Sequence, residues 1–299
     1  MEPRESDPIL KNDAANYFID PAGKDRRLLE SINLALYLRK PLYLFGYAGG
    51  GKSRLISRVA HELQLGPVLR WNVDSRSTVR SGLYEYDAVG HFQSSSPTAD
   101  QFVTLGQLGT ALAANGRPRA LLIDEVDKAD VDFLDDLLNV IDSGSFPIPE
   151  LCRSGAKECK VRDCLNLAVA SVPVHNGWIQ GGEYPFVVMT ANSSIELTSA
   201  FRRRVVVHEM EKPDPDQMAK IVLFQLQRLP EWNSTCNSEA SEFLRTLQRS
   251  FDDSEVNVEK LANAFWIIWR MANQQIPVGA ELSSEMREVV AAIQSGVAE

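Results

Sequence analysis

Gly46-Tyr47-Ala48-Gly49-Gly50-Gly51-Lys52-Ser53 is the stretch whose reading decides the fold. It fits G-x-x-x-x-G-K-[S/T] at each fixed position and directly follows an apolar run, Pro41-Leu42-Tyr43-Leu44-Phe45. Downstream, Leu55, Ile56, Val59, Ala60 and Leu63 recur at helical spacing. Strand, glycine loop and helix therefore follow one another in the order that lets backbone N–H groups converge on phosphate at a helix N-terminus. In this reading Gly46, Gly49, Gly50 and Gly51 let the backbone approach the ligand. Lys52 supplies charge to the β/γ oxygens of a nucleotide, and the Ser53 hydroxyl is placed to ligate Mg²⁺. The competing reading, a flexible glycine-rich turn, leaves the flanking strand and helix without a purpose.

Working outward, short apolar runs alternate with helical patterns from about Tyr17 to Met210, the signature of βα units around a parallel sheet. The predicted strands are Pro41–Phe45, Val68–Val73, Ala120–Ile123, Phe186–Thr190 and Val205–His208. The third ends in Asp124-Glu125, two acids at the C-terminal edge of a strand, where open α/β sheets bind ligands. Asp124 would hold Mg²⁺ through its water shell, and Glu125 would orient and polarise an attacking water. An acid pair at a strand end can also serve only to cap a helix, although Asp130 stands ready to cap the next one (Leu134, Leu137, Leu138, Ile141). The fourth strand runs into Ala191-Asn192. The Asn192 amide could bond the γ-phosphate or the lytic water, or the residue could simply form a turn. Arg202-Arg203-Arg204 then precedes the last strand, either as a solvated face or as a finger reaching a neighbouring subunit's nucleotide.

After Met210 the strands stop. Asp214-Pro215-Asp216-Gln217 is a helix start, with an Asp cap, Pro at the first helical position and Gln three residues after the cap. Apolar stripes at Met218, Val222, Leu226 and Leu229, then Phe243 to Phe251, Val258 to Ile268 and Met286 to Ile293, predict about four helices. The predicted organisation is an N-terminal arm at 1–16, an α/β nucleotide-binding core at 17–211 and a helical unit at 212–299.

The 299 residues carry 31 Lys and Arg against 40 Asp and Glu, a net charge of −9. No global positive field exists to attract nucleic acid, which argues against nucleic acid as the default client. The longest apolar runs fall short of a membrane span, and the first residues have no apolar signal core, so the expected location is the cytoplasm. Four cysteines suit reduced thiols. Cys152, Cys159 and Cys164, with His175 nearby, lack the paired C-x2-C spacing of a zinc knuckle. His61 and His91 have no catalytic part in P-loop hydrolysis. Trp71, Trp178, Trp232, Trp266 and Trp269 read as packing residues rather than base-stacking platforms.

Together these residues resemble an AAA+ ATPase and, within that superfamily, the MoxR-type branch. Gly46–Ser53 is similar to Walker A, Leu121–Glu125 to Walker B with its catalytic Glu, Asn192 to sensor 1, and Arg203/Arg204 to the arginine finger, with Arg204 favoured over Arg203. Similar too are Asn33-Leu34-Ala35-Leu36, Asp74-Ser75-Arg76-Ser77-Thr78, Gly82-Leu83-Tyr84-Glu85-Tyr86-Asp87 and Arg117-Pro118-Arg119. The resemblance covers roughly residues 17–295. It implies a P-loop NTPase core of parallel sheet with a C-terminal α-helical lid, Mg²⁺ and ATP as cofactors, and a homo-oligomer, usually a hexameric ring, with nucleotide at subunit interfaces. It also implies a β-hairpin inserted in the second core helix, placed near Val89–Leu105. A second hairpin before sensor 1 would lie within Ser145–Tyr184, begin at Phe146-Pro147-Ile148-Pro149-Glu150 and include Val169–Val174.

Ala48 departs from the Pro common in this branch, which changes loop stiffness without removing a phosphate ligand. Lys260 is a candidate sensor 2, with an exposed helix charge as the alternative. Asn72 is a candidate polar switch on Glu125, with an ordinary strand-end Asn as the alternative. The expected activity is Mg²⁺-ATP hydrolysis that remodels or activates a separate partner protein. The alternative is a nucleotide-dependent assembly switch or scaffold with slow hydrolysis, and a P-loop kinase is more distant. The sequence does not name the client, which is expected to be another chain.

Overall fold

The computed structural model describes residues 17–20, 23, 25–46, 50–94, 98–192 and 197–213, and four further positions, 217, 220, 221 and 224. The predicted arm at 1–16, Gly49 in the glycine loop, the helix start at Asp214–Asp216, Lys260 and most of the predicted helical unit lie outside the described residues. By its contacts the chain divides into two compact units, Met1–Glu211 and Lys212–Glu299.

In chain order the first unit contains α1 (Arg26–Leu38), β1 (Leu42–Gly46), α2 (Lys52–Glu62), β2 (Leu69–Asn72), α3 (Val79–Leu83), β3 (Tyr84–Tyr86), α4 (Ala88–Gln93), β4 (Val103–Leu105), α5 (Gln107–Leu112) and β5 (Ala120–Asp124). There follow α6 (Val131–Ser143), β6 (Ser145–Pro147), α7 (Pro149–Ser154), β7 (Glu158–Val161), β8 (Val172–His175), β9 (Trp178–Gln180), β10 (Phe186–Thr190), α8 (Ser199–Arg204) and β11 (Val206–Met210). Strands β11-β1-β10-β5-β2 form one five-stranded sheet, parallel throughout. These are the five strands expected from the sequence, with no end shifted by more than two residues and Phe186–Thr190 unshifted.

Runs such as Ala120-Leu121-Leu122-Ile123 and Phe186-Val187-Val188-Met189 are apolar at every position because both faces of the sheet are covered. Alternate side chains go to opposite sides. Tyr43, Leu121, Ile123, Val187 and Met189 join the cluster containing α5 and α6. Leu42, Leu44, Leu122, Val188 and Val206 pack against Leu28 and Ile32 of α1 and Leu55, Ile56 and Val59 of α2. Asp130 stands at the N-cap of α6 as expected, but its side chain makes no capping hydrogen bond.

The first insertion differs from expectation in position and the second in size. The first hairpin pairs β3 with β4, so it begins at Tyr84 rather than near Val89, and α4 occupies its connection. Thr78 and Ser81 close a reciprocal capping box that starts α3 and turns the chain toward β3. The second insertion is a four-stranded antiparallel sheet, β6-β9-β8-β7, rather than one hairpin. Pro147-Ile148-Pro149 explains the difference at its start: Pro at the first position of α7 presets a helix where a strand was expected to continue.

Candidate active site

β1 ends at Gly46, whose φ of 115° and close approach to the end of β11 both require glycine. A Cβ there would lie 2.5 Å from the Met210 carbonyl oxygen. Gly51, at φ 78°, precedes α2, and a Cβ on it would meet the Tyr17 ring at 2.7 Å. Lys52 is buried, and its ammonium donates to the Gly46 carbonyl at 3.0 Å. Burial lowers the Lys52 pKa, while Asp124 and Asp127 oppose that shift by favouring the charged form.

The Ser53 hydroxyl donates to the Asp124 carboxylate, 2.9 Å from Oδ2 and 3.1 Å from Oδ1. A hydroxyl and a carboxylate side by side are the hard oxygen donors that suit Mg²⁺, so the residues present fit that ion. Asp124 sits where β5 emerges between β2 and β10, and its backbone carbonyl accepts the Val73 N–H at 3.0 Å. Thr190, the last residue of β10, donates its hydroxyl to Asp124 Oδ1 and accepts the Glu125 N–H at 3.1 Å.

Glu125 has φ 60° and ψ 45°, the left-handed region that non-glycine residues seldom occupy. Its carboxylate is 40 % exposed and lies 2.5 Å from the Lys128 ammonium. This contact, ahead of Asp127 and Asp124, holds the Lys128 pKa above its ordinary value. Asn72, the candidate polar switch, is exposed, and among the described residues no group bonds its side chain, while the Glu125 carboxylate is met by Lys128. Asn192 is also exposed and is tied to the same turn through its backbone, donating N–H to Asp127 Oδ2 at 3.1 Å. Beneath this turn the Tyr43 hydroxyl is buried with no hydrogen-bond partner among the described residues. Burial, assisted by Asp127, pushes its pKa up to about 12.

The three arginines end α8, a helix started by the Thr198 side chain, which accepts the Phe201 N–H at 3.1 Å. Phe201 is buried edge-on against Tyr43, which fixes the helix on the sheet. Arg204 donates from Nε and Nη2 to Asp142 of α6 at 2.8 and 2.7 Å. Arg202 and Arg203 are exposed, and the Arg203 carbonyl accepts from Lys40 Nζ at 2.6 Å. The favoured finger candidate, Arg204, is thus bonded within its own chain, whereas among the described residues no group bonds the Arg203 side chain.

A glycine loop thus opens a helix beside an acid pair at the end of a parallel strand. Residues 41–205, more than half of the chain, match the model of the AAA domain (dynein-related subfamily). The chain belongs to this AAA family. No curated protein matches it. Among solved structures, NtrX from Brucella abortus in complex with ATP is 12 % identical at a TM-score of 0.43, with 91 % of this chain and 57 % of that chain covered. A single-substitution variant of RuvB from Thermotoga maritima is 12 % identical at a TM-score of 0.47, with 94 % and 70 % covered. The AAA chain therefore spans little more than half the length of NtrX.

Sequence reasoning about this AAA domain missed Thr190, Asp127, Lys128 and Asp142. The signal for Thr190 was a single polar residue closing an otherwise apolar strand. The parallel register Met189↔Ile123 places it beside Asp124. Cys152, Cys159 and Cys164 are free thiols, and no group of three or more potential metal ligands occurs among the described residues. Trp71 packs on Phe133, as expected, but Trp178 is 48 % exposed because it occupies an outward position of β9. A groove of about 420 Å³ is lined by α3, α6 and the insertions, among them Arg80, Tyr84, Asn139, Phe146 and Trp178, and neither Lys52, Ser53, Asp124 nor Glu125 lines it. No helix among the described residues is long and apolar enough to cross a membrane.

Proposed function

We propose that this AAA chain is a MoxR-type ATPase that hydrolyses Mg²⁺-ATP at the interfaces of a hexameric homo-oligomer and so remodels or activates a separate partner protein. The observation that carries the reading is the meeting of the Ser53 hydroxyl and the Asp124 carboxylate at 2.9 Å, with Lys52 before the one and Glu125 after the other. Ser53 and Asp124 would hold Mg²⁺, which when bound offsets charge on the phosphate oxygens. Backbone N–H groups from Gly46 to Gly51 would cradle the phosphates, and Lys52 would exchange the Gly46 carbonyl for a β/γ oxygen.

Glu125, released from Lys128, would orient the attacking water and take its proton on the carboxylate, with Asn192 fixing the water or the γ-phosphate from the other side. Arg203 of a neighbouring subunit, exposed and with no bond to its side chain among the described residues, would complete the site more readily than Arg204, which is held by Asp142. Residues 212–299 would form the lid. Two insertions, β3–β4 and β6–β9, lying ahead of the Asn192 strand, support the MoxR-type assignment. Per-subunit ATPase activity should fall about 10³- to 10⁵-fold at dilutions where the oligomer dissociates, as loss of an arginine finger requires. An unchanged per-subunit rate at those dilutions contradicts the interfacial site.

The contacts of Glu125 with Lys128 and of Arg204 with Asp142 favour a second reading, in which hydrolysis is slow and only times assembly with an effector. A motor turns over continuously and is stimulated by its partner. A switch makes about one turnover per assembly event, which single-turnover and steady-state rates with and without the partner distinguish.

A further inference from the structure

Thr190 is 1 % exposed, in a strand buried at all five positions. A threonine hydroxyl has one proton to give and two lone pairs. Here the proton goes to Asp124 Oδ1 and one lone pair to the Glu125 N–H at 3.1 Å, so a single side chain holds both acids. Ser53 approaches the same carboxylate at 2.9 and 3.1 Å, and rotation of Asp124 about χ1 or χ2 would disturb both hydroxyl contacts. Glu125 needs a restraint more than most residues do, because its left-handed backbone is unfavourable without one. The Thr190 bond to its N–H and the Lys128 N–H bond to its carbonyl at 3.0 Å supply that restraint from either side. Two residues further on, Asn192 N–H reaches Asp127 Oδ2, so the end of β10 is bonded to the acid-bearing turn at both of its exits.

We propose that Thr190 is a positioning residue that sets the orientation of the Asp124 carboxylate and the backbone of Glu125 together, coupling the metal-holding acid to the water-orienting acid. A shift of the end of β10, where Asn192 would sense the γ-phosphate, then moves both acids at once. The proposal rests on the Mg²⁺-ATP reading above.

The test compares wild type with Thr190→Val, which keeps the shape and removes the hydroxyl, and Thr190→Ser, which keeps the hydroxyl. Binding of a fluorescent ATP analogue to the full chain is titrated with Mg²⁺ and, separately, in EDTA. Thr190→Val should raise the Mg²⁺ concentration for half-maximal binding about 10- to 100-fold, the usual effect of removing a group that orients a metal ligand. Its affinity in EDTA should match wild type, which also reports an intact fold. Thr190→Ser should restore the Mg²⁺ response. At saturating Mg²⁺ and ATP, turnover by Thr190→Val should remain depressed because the Glu125 backbone has lost its bond. If Thr190→Val does not fold, Thr190→Ala takes its place against the same serine variant. A wild-type Mg²⁺ response in the variant lacking the hydroxyl, or equal impairment of the serine variant, overturns the proposal. Recovery of full turnover by Mg²⁺ alone overturns its Glu125 half. Wild-type protein with no Mg²⁺-dependent nucleotide binding overturns the reading beneath it.

Discussion

The five-stranded parallel sheet and the four-stranded antiparallel sheet β6–β9 share one apolar cluster, yet they are built on opposite terms. In the parallel sheet, β5 and β10 bury nine of their ten residues between two helical layers. In the antiparallel sheet each strand buries a single side chain, namely Phe146, Val161, Val174 or Ile179. Burial on both faces fixes register twice over, so a group placed at a strand end, such as Asp124 or Thr190, is held to a narrow geometry. Burial of one residue per strand anchors the insertion and leaves the remaining positions open to variation. Trp178, Leu165, Leu167 and Val169 are exposed there, and Val89 and Phe92 on the first insertion. The candidate site thus lies on the doubly buried sheet, and these exposed apolar side chains on the insertions.

The largest effect expected from this contrast is at the parallel edge. Lys52→Ala should weaken ATP binding by about 100-fold or more, as loss of a buried charged partner does, and equilibrium binding of labelled ATP measures it. Next, Leu122→Ala in β5 and Ile179→Ala in β9 should each cost about 2–5 kcal/mol, since both side chains are fully buried. Because Ile179 shares its cluster with Ile123 and Val187, its loss should lower the midpoint of the same denaturation transition. A separate early transition for Ile179→Ala would show that the insertion melts on its own and would break the shared-core half of the comparison. The smallest effect belongs to Glu150, which accepts from Arg80 at 2.7 Å and from the Tyr84 hydroxyl at 2.9 Å and so ties the two insertions together. Glu150→Ala should cost about 1 kcal/mol, because Arg80 is largely exposed. It should leave basal ATPase activity unchanged, and a large loss of that activity would show that the insertions act on the site.

The same contrast explains what was legible in the sequence. Leu42–Gly46, Ala120–Asp124 and Phe186–Thr190 declare themselves because a strand buried on both faces must be apolar throughout, and the glycine loop is recognisable because its spacing follows from phosphate geometry. The acids were found because a charge at the end of such a strand stands out. The second insertion lies within its expected stretch but as four strands, and the first starts at Tyr84 rather than near Val89, since strands of three or four residues with one or two buried positions carry almost no period. The turn Glu125–Lys128 was also illegible. Nothing in Asp124-Glu125-Val126-Asp127-Lys128 states that Glu125 adopts positive φ, brings Lys128 onto its own carboxylate and leaves Asp127 to hold Asn192. Nor could the pairing of Arg204 with Asp142 be read from residues 62 apart in sequence.

The central claim is that Glu125 performs water activation in a site otherwise devoted to binding, and it is tested most directly by Glu125→Gln assayed in parallel for ATP binding and for ATP turnover. The account predicts ATP affinity within a few-fold of wild type and a loss of turnover of about 10²- to 10⁴-fold, the range for removing a general base. Undiminished turnover in the Glu125→Gln protein would contradict it.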